Sequence, residues 1–225
     1  MLRFALPLLL LAAPVAAQQV DEQLWLQANG SIALGDREKV TLEAIGRFSD
    51  RAAGFAHAET GMLFTKTSSG GVELSIGYRH VEDWNQGARL ANEERLRQMV
   101  LVPFGRGFSG RLRLEQRFSS AGSEIAVRLR PRLGLDTPLN GKGLKLFVSQ
   151  EHFLNLNTTR WGPRGGYERM RNAASLSFAL SDKLRAELGY LNQYRFGRDG
   201  RRDQMDHAAT FTLSFNVASL SDSGD

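Results

Sequence analysis

Residues 110–118 read Gly-Arg-Leu-Arg-Leu-Glu-Gln-Arg-Phe, and their strict alternation decides the fold class. Successive side chains of an extended strand point to opposite faces. One face of this segment carries Arg111, Arg113, Glu115 and Arg117. The other carries Leu112, Leu114, Gln116 and Phe118. This pattern predicts a β-strand with one charged face and one apolar face.

The same rhythm recurs along the chain, in segments of roughly ten residues separated by Gly, Asn, Asp and Ser. Candidate strands lie near residues 23–34, 39–48, 55–66, 71–80, 93–103, 110–118, 124–135, 143–155, 172–181, 184–195 and 205–216. We therefore expect an all-β, closed, antiparallel, up-and-down transmembrane barrel. Bacterial single-chain barrels have an even number of strands, whereas these segments are odd in number. We take about 10 strands as the first expectation and 12 as the alternative.

The charged faces of these strands decide which side of the barrel wall is the interior. An arginine on the lipid side at mid-membrane costs roughly 2–4 kcal/mol, so charges on a membrane barrel belong in the lumen. The predicted lumenal cluster is Arg111, Arg113, Glu115, Arg117, Arg128, Arg130, Arg132, Glu151, Arg185 and Glu187. A soluble barrel would reverse the two faces, and alternation alone does not separate the two cases. A soluble periplasmic β protein therefore remains the alternative.

The first residues favour export. Arg3 precedes an apolar run from Phe4 to Ala13, and the small residues Ala16 and Ala17 follow, which is the pattern of a cleaved secretory signal peptide. We expect a signal peptide at 1–17, a barrel domain at 18–217 and a disordered tail at 218–225. From the signal peptide and the barrel together, we expect localisation to the outer membrane of a Gram-negative bacterium. The sequence has no cysteine, which excludes disulfides and thiolate metal sites.

The connections between strands differ in length. Thr137 to Gly143 and Leu180 to Lys183 are short, whereas 81–92, 155–171 and 196–204 are long, as in outer-membrane barrels with long external loops. Basic residues in two of the long connections are candidates for binding lipopolysaccharide phosphates. These are Arg160, Arg164, Arg169, Arg171, Arg198, Arg201 and Arg202. A generally solvated loop is the alternative interpretation.

Three short stretches carry a family resemblance. Residues 111–117 (RLRLEQR), 128–134 (RLRPRLG) and 187–193 (ELGYLNQ) resemble the bacterial family known as domain of unknown function 2490, or DUF2490. The resemblance covers roughly residues 21–216 and implies an outer-membrane barrel without an assigned activity. One departure is that Phe215 is followed by ten further residues, whereas such barrels tend to end on an aromatic residue.

Three functions remain open from the sequence. The first is a structural or envelope-maintenance barrel with an ion-pair-filled lumen and no catalysis. The second is a narrow anion-selective channel, because Arg exceeds Glu in the predicted lumen. The third is a lipid-modifying enzyme that uses His152 or His207, although Ser149 and His152 fall on opposite faces of one strand.

The net charge of +5 at pH 7 suggests anionic partners. The expected partners are outer-membrane lipid and lipopolysaccharide, and the barrel-assembly machinery through the C-terminal strand. Nucleic acid is not expected for an exported protein. No cofactor, metal site or catalytic residue is assigned, since His80, Glu82 and Asp83 lack a recognised metal-binding spacing.

Overall fold

The computed structural model describes residues 18–139, 143–198 and 200–217. The predicted signal peptide at 1–17 and the predicted tail at 218–225 lie outside the described residues. The strands are β1 (Gln18–Ala33), β2 (Glu38–Ser49), β3 (Gly54–Thr67), β4 (Glu73–Asn85), β5 (Ala88–Arg89), β6 (Glu93–Gly105), β7 (Phe108–Ser119), β8 (Gly122–Pro138), β9 (Lys145–Asn155), β10 (Gly166–Ala179), β11 (Leu184–Arg195) and β12 (Asp203–Val217).

Eleven of these strands form a closed wall, which confirms the prediction of an all-β barrel. Each wall strand pairs antiparallel with its neighbour in the chain, and β1 pairs with β12 to close the ring. The strand β5 has two residues and pairs only with the end of β4. The expectation of ten or twelve strands is wrong by one.

The odd strand number has a direct consequence for the closing seam. In an up-and-down barrel with eleven strands, the first and last strands run in the same direction. The β1–β12 pair is accordingly parallel, in a continuous register from Gln18 opposite Asp203 to Ile32 opposite Val217. The rule of even strand numbers assumes antiparallel closure, and this chain closes instead with one parallel pair.

The two ends of the barrel differ in their connections. One end, here called the long-loop end, carries the connections at 50–53, 86–92, 120–121, 156–165 and 196–202. The opposite, short-loop end carries those at 34–37, 68–72, 106–107, 139–144 and 180–183. The tightest is Arg106-Gly107, where both residues have positive φ (52° and 81°), as a two-residue hairpin turn requires. The long connections predicted from the sequence therefore share one end.

The wall is polar inside and apolar outside. Arg97, Glu115 and Arg128 are buried, with exposures of 0 %, 1 % and 4 %, whereas Leu112 and Leu188 on the same wall are 43 % and 51 % exposed. A water-soluble barrel buries its apolar face, so this distribution is inverted relative to one. Among the described residues, no helix is long and apolar enough to span a membrane.

Candidate functional site

Within the described residues, two neighbouring cavities lie in the interior of the barrel. The larger has a volume of about 2000 Å³ and reaches the long-loop end, where Trp161 and Arg198 line it. The smaller, of about 250 Å³, lies towards the short-loop end beside Lys39 and Glu73. The residues shared by both cavities are Glu43, Arg111, Arg113 and Arg132. These four side chains therefore form the layer that divides the lumen.

The structure places the predicted lumenal residues inside the wall. Those that line the larger cavity are Arg111, Arg113, Arg117, Arg128, Arg130, Arg132, Glu151 and Glu187. Glu115 is fully buried among them and contacts three of the arginines. Arg185 lies nearer the short-loop end, where it donates to Ser177 Oγ at 3.1 Å and to the carbonyl of Gly143 at 3.4 Å.

Glu115 is the centre of the ion-pair network between β7 and β8. Arg128 donates to its Oε2 through Nε and Nη2, at 2.9 and 2.6 Å, and Arg130 donates to its Oε1 at 2.8 Å. Arg113 adds a longer contact of 3.5 Å. Register explains the arrangement, because Glu115 lies directly opposite Arg128 in the β7–β8 pair. The carboxylate therefore joins two neighbouring strands through charge-assisted hydrogen bonds.

Glu151 of β9 extends this network around the wall. Arg130 donates to it at 2.8 Å, Arg111 also donates to it, and Arg171 of β10 lies 3.7 Å away. Arg130 thereby links Glu115 to Glu151. A single chain of buried ion pairs thus connects β7, β8, β9 and β10.

Three glutamates of the N-terminal half complete the network, and sequence reasoning missed them. Glu59 accepts from Arg47 at 2.9 Å and from Arg79. Glu43 accepts from Arg79 at 2.8 Å and from Arg97, and Glu93 accepts from Arg117 at 2.6 Å and from Arg95 at 2.9 Å. A period-2 signal exists in these strands, but it is weakened because Ile45, Gly61 and Leu63 share the inner face with the charges.

Arg169 and Arg171 require a correction, because the sequence analysis assigned both to an external loop. They lie in β10, which begins at Gly166, and their side chains are only 15 % exposed. A β-bulge between Tyr167 and Arg169 interrupts the alternation that would have shown the strand. The bulge also allows the adjacent residues Glu168 and Arg169 to line the cavity together. Neither arginine is positioned to contact lipopolysaccharide outside the barrel.

The other predicted loop arginines lie at the long-loop end. Arg160, Arg164, Arg201 and Arg202 are exposed, and all four border the mouth of the larger cavity. Arg198 is half-buried and donates to the carbonyls of Gly165 (2.7 Å), Arg164 (3.2 Å) and Tyr167. It therefore holds the 196–202 connection against the 156–165 connection.

A carboxylate fixes the start of β12 at the same end. Asp203 accepts a hydrogen bond from the hydroxyl of Tyr194 and one from the backbone N–H of Gly197, at 2.6 Å. These two donors lower the pKa of Asp203, the hydroxyl more than the N–H. The carboxylate is therefore charged at neutral pH and holds the 196–202 connection to β11.

Each of the four histidines forms a hydrogen bond with a carboxylate or a tyrosine hydroxyl. His57 bridges Asp83 and Glu59 (2.5 and 2.6 Å), and His80 bridges Glu94 and Glu82. His152 pairs with the hydroxyl of Tyr167, and His207 pairs with that of Tyr190. In the described ranges none of these hydrogen bonds joins a histidine to a serine. In the same ranges no three His, Cys, Asp or Glu side chains are grouped to hold a metal ion.

The charge balance of the lumen determines what it can do chemically. Among the described residues, eighteen arginines and ten carboxylates line the larger cavity. Arg carries its charge at every physiological pH, so the cavity has an excess of fixed positive charge. Such an interior attracts anions and repels cations.

Comparisons with known proteins identify a family and assign no activity. The chain matches the family described as protein of unknown function (DUF2490) over residues 22–205. It is 37 % identical, over 127 residues, to an uncharacterized protein of Methylorubrum extorquens. The match covers 53 % of this chain and 55 % of the relative, so the chain spans about half the length of the curated relative that it matches. No solved structure matches.

Proposed function

From the premise that the chain belongs to the DUF2490 family of unknown function, we propose that it is an outer-membrane β-barrel with a structural role in the envelope. In this proposal ion pairs line and divide its lumen, and its outer face contacts lipid. The observation that carries the proposal is the inverted wall, charged inside and apolar outside. Because closed barrels and helices alone satisfy every backbone group in hydrocarbon, a closed ring of strands suits this location.

The outer face supports contact with lipid. Large apolar side chains at least 38 % exposed cover strands all around the wall, and they include Leu26, Leu42, Met62, Ile76, Leu96, Leu112, Leu133, Val148, Leu176 and Leu188. Together they surround the barrel, whereas exposed apolar patches on soluble monomers are confined to a few hundred Å². Water would make such a surface aggregate, and hydrocarbon would solvate it.

The height of the apolar band also fits a membrane. Phe108 and Phe118, exposed at 48 % and 37 %, lie at opposite ends of β7 on its outer face. They are ten residues apart, which corresponds to about 25 Å along the barrel axis at about 3.3 Å per residue and a tilt of about 40°. Outer-membrane barrels carry an apolar band about 25 Å tall between aromatic girdles. Phe104 adds a second aromatic ring beside Phe108 at the short-loop end by covering Gly110, where a Cβ would lie 2.7 Å from its ring.

Some of the polar side chains that interrupt the outer face have hydrogen-bond partners within it. Gln150 donates to Asn172 across the β9–β10 pair at 3.2 Å, and Asn192 of β11 donates to the sulfur of Met205. Asn172 lies directly opposite both Gln150 and Asn192 in the sheet. These hydrogen bonds lower the cost of placing amides at a lipid surface.

Cell fractionation and a heat-modifiability gel test this proposal. We expect the protein in the detergent-extracted outer-membrane fraction, with an unboiled form that migrates differently from the boiled form. Release without detergent, together with identical migration of both forms, would instead favour the soluble periplasmic alternative.

The proposal also includes contact with lipopolysaccharide phosphates. The exposed arginines at the long-loop end that would make this contact are Arg160, Arg164, Arg201 and Arg202.

A narrow anion-selective channel is the second candidate, and the excess of lumenal arginine favours it. The layer of Glu43, Arg111, Arg113 and Arg132 stands between the two cavities and supports the closed alternative. Planar-bilayer recording separates the two. We expect no steady conductance from the unmodified protein, and steady anion-selective steps would replace the structural role with a channel.

A further inference from the structure

Two aromatic side chains of the lumen collect an unusual number of guanidinium groups. Arg47 lies 3.9 Å from the ring centroid of Trp25, and Arg171 lies 4.7 Å from the same ring. Arg169 and Arg171 also lie 5.2 and 4.9 Å from the ring of the buried Phe153. Stacking holds the planar guanidiniums at fixed positions on the aromatic faces and leaves their edges available for hydrogen bonds.

These three arginines, together with Arg195, form what we call the arginine cradle, defined as Arg47, Arg169, Arg171 and Arg195. Arg169 lies directly opposite Arg195 in the β10–β11 pair, and like charges at opposed positions destabilise a sheet. The Nε of Arg47 and the Nε of Arg195 are buried without a hydrogen-bond partner. The cradle therefore brings together four positive charges that the sheet by itself does not favour.

The nearby carboxylates do not balance this charge. Glu168 contacts Arg169 and also lies 3.7 Å from Arg128. Glu151, at 3.7 Å from Arg171, is closer to Arg130 and Arg111. Glu59 accepts from Arg47 at 2.9 Å, but it also accepts from Arg79. Each of these carboxylates is shared with arginines outside the cradle, so the cradle retains a net positive charge. Buried positive charge that is only partly balanced is costly, which favours a bound anion.

A neutral side chain sets the orientation of the cradle. Gln193, 3 % exposed, accepts from Arg171 at 2.7 Å through Oε1 and donates to Asp206 at 2.8 Å through Nε2. The donation to Asp206 fixes which end of the amide faces Arg171. Two N–H groups of Arg171, on Nε and Nη2, are thereby held at 3.3 and 2.7 Å, and the side chain keeps further donors for a ligand, since a guanidinium has five.

We propose that the arginine cradle binds a small, multiply charged oxyanion of the phosphate class. Arginine forks match phosphate oxygens bidentately, and four of them converge here. Arg169 and Arg171 are 15 % exposed and line the larger cavity, so a solute can reach them from the long-loop end. The inference depends on the lumen alone and goes beyond the proposed structural role.

Fluorescence titration of the purified full-length chain with sodium pyrophosphate tests the site. Trp25 is stacked on two cradle arginines, so binding changes its emission, while sodium chloride at equal ionic strength serves as the reference. We expect a saturable change that pyrophosphate produces and chloride does not. Arg171→Gln and Arg169→Gln should each weaken the apparent affinity by about tenfold or more, because each removes a charge-assisted contact.

The matched control is Arg185→Gln, which removes an equal charge near the short-loop end, where Arg185 contacts Ser177 and Gly143. This variant should bind pyrophosphate with unchanged affinity. Trp25→Phe should lose the optical signal and keep the pyrophosphate-dependent rise in melting temperature. Absence of a saturable change in the unmodified protein, or equal losses in Arg185→Gln and Arg171→Gln, would overturn the proposal.

Failure of this inference is separable from failure of the proposed function. A chain that fractionates with the outer membrane and does not bind pyrophosphate contradicts only the cradle. A chain that is released without detergent and still binds pyrophosphate contradicts only the membrane location.

Discussion

Neutralising Glu115 should destabilise the barrel more than neutralising any exposed carboxylate. Glu115 is 1 % exposed and accepts three hydrogen bonds of 2.6 to 2.9 Å from Arg128 and Arg130. Breaking a buried ion pair by removing one partner costs about 3–5 kcal/mol. Glu115→Gln keeps the shape and one acceptor oxygen, so we expect about 3 kcal/mol.

Urea unfolding in detergent micelles, followed by tryptophan fluorescence, measures this loss. A change of about 3 kcal/mol corresponds to a midpoint lower by about 1 to 1.5 M at urea slopes of about 2–3 kcal/mol/M. The matched control is Glu73→Gln, which removes a charge that lies 3.5 Å from Lys39 in a partly exposed pair. Exposed pairs contribute little, so the control midpoint should scarcely move.

A double variant separates the ion pair from side-chain packing. Glu115→Gln with Arg128→Gln removes the carboxylate together with one of the guanidiniums that it leaves unpaired. The double variant should therefore lose less stability than the sum of the two single losses. Equal midpoints for Glu115→Gln and Glu73→Gln, or strict additivity in the double variant, would refute the network as the stabilising element.

Three further predictions concern the outer wall, the seam and the long-loop end. Leu112→Arg, between the aromatic residues at the two ends of β7, should lower the free energy of unfolding in lipid vesicles by roughly 2–4 kcal/mol, whereas Leu90→Arg in the loop before β6 should leave it nearly unchanged. A Leu112→Arg protein that is more soluble without detergent would contradict the membrane account. Ala28→Cys with Leu213→Cys should form a disulfide across the parallel seam, whereas Ala28→Cys with Ala186→Cys, two strands and about 10 Å apart, should not; a gel under oxidising conditions distinguishes them. Asp203→Asn loses the carboxylate that accepts from Tyr194 and Gly197, so trypsin should cleave faster after Arg201 or Arg202, and an unchanged digestion rate would remove the role assigned to Asp203.

The strand pattern was readable from the sequence because alternation is a local property. Each of the eleven predicted segments corresponds to a wall strand, and the sharpest, 110–118, lies inside β7. The sequence pattern indicates eleven strands, and the predicted number became wrong only because bacterial barrels were expected to have an even number. Closure depends on how the first and last strands meet, which is a property of the whole chain. No local pattern in β1 or β12 encodes their parallel pairing.

The lumenal site was predicted in part, for a related reason. The arginines of β7 and β8 were identified because their charged faces are uninterrupted. Arg169 and Arg171 were misplaced because the bulge at Tyr167 hides the first turn of alternation in β10. The partners of Glu115 and Glu151 were also beyond sequence reasoning, since register and barrel curvature decide which of several arginines each carboxylate meets.

Accessibility of single cysteines along β7 tests the central claim of an inverted, lipid-facing wall most directly. The chain has no native cysteine, so spin labels can be attached one at a time at positions 111 to 116 in vesicles. The account predicts that labels at 112, 114 and 116 collide with lipid-soluble oxygen and are shielded from a water-soluble paramagnetic reagent, whereas 111, 113 and 115 show low collision with oxygen. Labels at 112, 114 and 116 that collide with the water-soluble reagent as often as labels at 111, 113 and 115 do would contradict it.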